Sequence, residues 1–195
     1  MTEVEVYVLA NNQLNKVIQQ IKDDQWNLPI PEWFQVGRAQ GDMTLRTIIN
    51  YHAYDDIWVS DTLAGKTIAE VGDKYDGDLL GDDPKAKFAE ITERGIVAAK
   101  DLSDLDTVVH LTYGDFPARE YFKHITSFRG FRAYDIAKLI GIQPDLPPEL
   151  VQGLWDEIEP EVEQWRQIGV FGPAIEPPVG ADLQTKLFCL CGRSL

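Results

Sequence analysis

The chain is short of the residues that usually announce chemistry or location. Two cysteines and three histidines occur among 195 residues, and basic residues number 18 against 32 acidic ones, a formal net charge of −14. A surface so acidic repels phosphate backbones, so no nucleic-acid partner is expected. No apolar run approaches the roughly 18 residues that a membrane-spanning helix needs, so no membrane association is expected either. The opening MTEVEVYVLANNQLNK has neither the basic start nor the apolar block of a secretion signal, and a cytoplasmic location is the expectation. Cys189 and Cys191 stand too close for ordinary disulfide geometry, and no partner Cys or His nearby completes a zinc motif. Beside Leu187, Phe188 and Leu190 they read as packed thiols, suited to a reducing compartment. Also missing are GxGxxG and GxxxxGK[ST] phosphate loops, a GxSxG elbow and an HExxH pair, which leaves most common enzyme classes without a motif.

What is present is helical periodicity. Apolar residues make up 44% and charged ones 26%, which suits one folded domain over 1–195 with a real core. From about 4 to 23, Tyr7, Ala10, Leu14, Val17, Ile18 and Ile21 fall on one helical face. Pro29 and Pro31 then forbid a regular helix, and Asp42 is the expected N-cap of a second helix over about 43–63, closed by Gly65. The stretch Lys66–Asp82 reads as loop. Asp83-Pro84 is a cap followed by proline at the first helical position, opening a third helix to about Lys100. DTVVHLTYGDFP has strand-like residues but is too short to found a sheet. A fourth helix is expected from Pro117 to Ile140, closed by Gly141. A fifth follows Pro147-Pro148 to about Gln167, and after a proline-rich tail a last one covers about Asp182–Cys191. The pattern predicts an all-α bundle over about 4–140, with an additional helix and a C-terminal extension over about 147–195.

His52 lies on the apolar stripe of the second helix, with Asp56 one turn later on the same face, close enough to orient its ring. An inward imidazole needs a hydrogen-bond partner or a metal, because an unsatisfied buried polar group costs about 1–3 kcal/mol. Both readings stand at this level, as does a general-base role for an oriented His52–Asp56 pair. His124 follows Glu120 by four residues on the fourth helix, a spacing open to half a metal site or to a plain solvated pair. His110 has no helix-phased partner.

The order of motifs along the chain resembles that of the DinB-like four-helix-bundle family of mycothiol-dependent maleylpyruvate isomerases. DQWNLPIPEW resembles its W-x-x-P-T-P-C-x-x-W stretch, and MTLRTIINYHAYDDIWVSDTLAG its W-T-V-R-D-L-V-x-H…L-A-G helix, with Met43 at the usual tryptophan. LLGDDPKAKF, YGDFPAREYF and FRAYDIAKLIG resemble its G-D-P, F-G-x-L-P and V-H-G-W-D-L-A-R-A-T-G segments. VFGPAIEPPVGADLQTKLFCLCGR is similar to its C-terminal F-G-P-x-V-x-V-P…G-R. No single motif is strong; together they span nearly the whole chain in order.

The resemblance implies a DinB-like four-helix bundle and, in the family, a zinc-like divalent metal that activates mycothiol or another small thiol for isomerisation or S-transfer. Its ligands are a histidine on the second helix and an acid and a histidine four apart on the fourth. His52 falls on the first; with Asp135 as anchor, the others fall on Phe128 and Arg132. Phenylalanine has no donor atom and a guanidinium repels cations, so the metal site is degenerate and no bound cofactor is expected. Arg132 would bring a positive charge to the metal position, paired with Asp56 or Asp55, and Arg132, Phe128 and Asp56 become candidate pocket residues for a small anionic or thiol-bearing ligand. Two alternatives stay open. One is a metal-dependent thiol transferase or isomerase that keeps His52 with substitute ligands; Glu120 and His124 are an imaginable pair, but they lie two turns, roughly 11 Å, upstream, where His52 could not join them without a large shift. The other is a non-catalytic interaction module, such as a homodimer.

Overall fold

The computed structural model describes residues 1–34 and 43–193. It is mostly helical, with a single two-stranded hairpin among the described residues. Helix α1 (Glu3–Ile18) opens with a capping box, in which Thr2 Oγ1 accepts from the Glu5 amide and the Glu5 carboxylate accepts from the Thr2 amide. It ends at Ile18, short of the expected residue 23. There the Ile21 amide bonds back to the Ile18 carbonyl, a tighter turn that returns Ile21 to the core. Helix α2 (Leu45–Leu63) is capped by Thr44; the expected cap, Asp42, lies outside the described residues. Gly65 follows at φ 73°, the left-handed closure its position predicts.

Two stretches depart from the sequence reading between α2 and the fourth long helix. Inside the presumed loop, Thr67 and Glu70 form a capping box around a one-turn helix, α3 (Ile68–Val71). After α4 (Pro84–Asp101), whose cap is Asp83 as expected, the strand-like run does pair with itself. Strands β1 (Val108–Leu111) and β2 (Gly114–Pro117) are antiparallel, with His110 opposite Asp115. The His110 ring and Asp115 carboxylate meet at 2.8 Å, a cross-strand contact that helps so short a ladder.

Helix α5 (Ala118–Leu139) starts directly from the hairpin and closes at Gly141, φ 76°. The expected fifth helix is broken into α6 (Pro148–Ile158) and α7 (Val162–Gln167) because Pro160 lacks the amide a continuous helix needs. Helix α8 (Leu183–Leu190) begins at Asp182, whose carboxylate accepts from the Thr185 amide.

Helix α1 packs against α5, α4 and α6, while α2 packs against α4; by comparison α2 and α5 touch little. Ala10, Leu14, Ile49, Phe88, Ile136 and Leu150 fill the space between them, each large side chain stabilising the fold by about 1.5–3 kcal/mol on burial. Phe188 of α8 joins this core, its ring 4.4 Å from that of Tyr134 and 5.1 Å from that of Phe131. Helix α6 sits close to its neighbours through glycine. A Cβ on Gly130 would come 2.7 Å from Leu154 Cδ1, and one on Gly153 would come 2.8 Å from Val6 Cγ2. Cys189 and Cys191 are free, buried thiols, and burial pushes that of Cys191 up to about 12. No described helix is long and apolar enough to cross a membrane.

Candidate functional site

The slight contact between α2 and α5 leaves a cleft, and the side chains facing it come from the middle of both helices. A cavity of about 420 Å³ opens there, with Ile48, Tyr51, His52 and Asp55 on the α2 side and Phe128 and Arg132 on the α5 side. The sequence-predicted candidates His52, Phe128 and Arg132 thus share one cavity. Asp56 does not line it.

Asp56 points the other way, into the helical core, where its partner is Arg129. Both residues are essentially unexposed. Asp56 Oδ1 accepts from Arg129 Nε at 2.7 Å and from Arg129 Nη2, and Oδ2 accepts from Thr92 Oγ1 at 3.2 Å. Arg129 also donates to Asn11 Oδ1 at 3.1 Å and to the Ile125 carbonyl at 2.8 Å, and lies over the Tyr7 ring. Burial pushes the Asp56 carboxyl up, and the guanidinium and the Thr92 hydroxyl pull it back. The expected pairing of Asp56 or Asp55 with Arg132 is therefore wrong, as is the expectation that Asp56 orients His52. Arg129, one turn earlier on α5, has the claim on Asp56.

Arg132 instead reaches His52. Its Nε–H donates to His52 Nε2 at 3.0 Å, and its Nη1 lies 3.5 Å from Asp135 Oδ2. Asp135 Oδ1 accepts in turn from Arg193 at the C-terminal end of α8. The Arg132 guanidinium also stacks over the Phe34 ring, 4.5 Å from its centre. Accepting at Nε2 places the proton of a neutral imidazole on Nδ1, which is buried without a hydrogen bond. Burial first, then the Arg132 and Arg129 charges, hold His52 well below its usual range, so it is neutral at physiological pH. Burial lowers Arg132 to about 10, which leaves it charged.

A divalent metal held as the resemblance implies does not fit these residues. Phe128 offers no donor, Arg132 is a cation, and the one lone pair His52 presents already accepts from Arg132. The imaginable substitutes are engaged elsewhere: His124 Nδ1 meets Tyr113 Oη at 3.2 Å, and Glu120 accepts from Lys123 at 3.0 Å. Among the described residues no group of three or more His, Cys, Asp or Glu converges on a point where a metal could sit.

Asp55 was not singled out for itself by the sequence. It lines the cavity beside His52 and a second one of about 330 Å³, which Phe128 also borders. Asp55 as a whole residue is exposed, yet burial of its carboxyl against the cleft walls pushes it up to about 6; the Arg129 charge opposes the shift and that of Asp56 adds to it.

Compared with family models, curated proteins and solved structures, the chain matches none.

Proposed function

We propose that the chain is a divergent, metal-free relative of the DinB-like, mycothiol-dependent maleylpyruvate isomerase family that binds a small anionic or thiol-bearing ligand between α2 and α5. The observation that carries this reading is the Arg132–His52 hydrogen bond in the wall of the 420 Å³ cavity. It places a fixed cation where the resemblance implies a metal. It also removes the histidine lone pair that a metal would need. A carboxylate or thiolate entering the cavity would meet a charged guanidinium already oriented by a neutral ring, in a site whose burial costs that cation and would strengthen its attraction to an anion. The motif order along the chain and the packing of α1 against α4 and α5 and of α2 against α4 support the family reading.

The test pairs metal analysis with ligand titration. After a zinc soak and desalting, wild type and His52→Ala are expected to carry equally little zinc. Maleate and N-acetylcysteine are then titrated into wild type and Arg132→Gln by calorimetry. Binding of at least one probe to wild type, weakened about tenfold or more in Arg132→Gln, is the expected result. Stoichiometric zinc that disappears in His52→Ala would overturn the proposal.

A further inference from the structure

The second cavity, of about 330 Å³, is walled by Tyr54 and Trp58 of α2, Tyr113 of the hairpin turn, and Tyr121 and Phe128 of α5, with Asp55 among them. The hairpin lies against both α2 and α5 and so closes one side of this space. Its chemistry is unlike that of the Arg132 cavity. Among the described residues that line it there is no Lys or Arg, though His110 and His124 are present.

Asp55 is the only carboxylate among the described residues of that lining. No cation of the described residues pairs with it. The nearest, Arg129, is committed to Asp56 and acts on Asp55 only at a distance. The Asp55 charge is felt by Tyr113 and Tyr121 across the cavity, and it raises both phenols on top of the larger effect of their burial. The rings, meanwhile, are not all spent on core packing. Phe128 is 47% exposed and Tyr113 61%, an uncommon outlay of aromatic surface on two walls of one cleft.

Aromatic faces carry negative quadrupoles and attract organic cations. A carboxylate among them adds the counter-charge, and ring edges and methylenes cover an apolar body. We infer that the cleft beside Asp55 is a binding site for an organic ammonium ion with an apolar body, held by the Asp55 carboxylate and the faces of Phe128, Tyr113 and Trp58. The volume lies at the lower end of ordinary ligand pockets, which suits a compact molecule. Asp55 and Phe128 line both cavities, but neither Arg132 nor His52, which carry the anion reading, borders this one.

The experiment compares choline with 3,3-dimethylbutan-1-ol, its neutral counterpart of the same shape, and adds benzyltrimethylammonium as a cation with an aromatic body. Each is titrated into the full chain at about pH 8, above the titration of Asp55, and followed by calorimetry, with the Trp58-dependent part of the fluorescence taken as the difference from Trp58→Phe. Both cations are expected to bind saturably, benzyltrimethylammonium more tightly, and the alcohol about tenfold or more weakly than choline. Asp55→Asn is expected to melt at or above the wild-type temperature at this pH and to lose about tenfold in affinity for both cations. Phe128→Ala should weaken benzyltrimethylammonium more than choline. Equal binding of choline and the alcohol, undiminished affinity in Asp55→Asn, or no saturation by either cation would each overturn the proposal.

Discussion

Replacing Asp56 by leucine would leave the Arg129 guanidinium in the core with no counter-charge. The pair is sealed, with Asp56 at 0% and Arg129 at 1% exposure, so water cannot take over the lost contacts. Burial lowers the guanidinium's hold on its proton, and the surrounding acidic groups, Asp56 foremost, together more than offset this, so the arginine stays charged in the folded state. Removing one member of such a pair costs about 3–5 kcal/mol. At about 2–4 °C per kcal/mol for a chain of this size, the melting temperature should fall by roughly 6–20 °C. The companion variant Asp56→Leu/Arg129→Met removes both charges. It still strands the Asn11 side-chain oxygen and the Thr92 hydroxyl, each able to cost about 1–3 kcal/mol, but no ion remains in the core. The double variant should therefore be more stable than Asp56→Leu alone, with a coupling of about 2 kcal/mol or more. Urea denaturation of wild type, both single variants and the double variant measures this as a thermodynamic cycle. Additive losses, or a loss below about 1 kcal/mol for Asp56→Leu, would show that the pair is not the sealed, charged contact described here.

Other outcomes follow from the same geometry. Glu157 is pushed up to about 8 by burial and by the charges of Glu3 and Glu161, so the folded chain holds a proton that the unfolded chain gives up near 4.5. Stability should decline as pH rises through that window, and Glu157→Gln should flatten the decline and gain on the order of 1–3 kcal/mol above about pH 8, read by urea denaturation across pH. His52 has the opposite sign. Its folded value is depressed, so its contribution is full above about 6.5 and is lost as the unfolded chain takes up protons below that. Nitrogen-15 spectra should show its Nδ1–H tautomer persisting at about pH 5.5, and an imidazolium there would refute the Arg132–His52 bond. Gly95→Ala would set a Cβ 2.9 Å from the hydroxyl of the buried Tyr7. Despite a helix-propensity gain of about 1 kcal/mol, it should destabilise by about 1–3 kcal/mol in thermal melts.

The helix ends were readable wherever local chemistry decides them: Asp83-Pro84, Asp182, Gly65 and Gly141 each act on their own neighbours. The inward turn of His52 was readable too, because the stripe around it is apolar. The hairpin was not, since four-residue strands carry too little pattern to separate them from loop. Nor was the identity of the ion pairs. Arg129 and Arg132 differ by three residues on α5, and which of them meets Asp56 depends on how α5 is rotated against α2. A signal did exist: Arg129 lies on the stripe Phe122, Thr126, Arg129, Ala133, Ile136, at the spacing of core positions, and an arginine there calls for a buried acid. Asp55 drew notice only as a possible partner of Arg132, because a polar residue next to a buried acid looks like surface until the hairpin is packed beside it.

Arg193, near the last of the described residues, ends on the same carboxylate that steadies Arg132. The chain Arg193–Asp135–Arg132–His52 therefore couples the docking of α8 to the wall of the cavity. On the anion-binding proposal, a ligand that tightened Arg132 would also tighten the hold on the C-terminal segment, and loosening that segment would weaken the ligand by the same factor. Protease resistance of the stretch between α7 and α8 becomes a remote gauge of whether the cavity is filled.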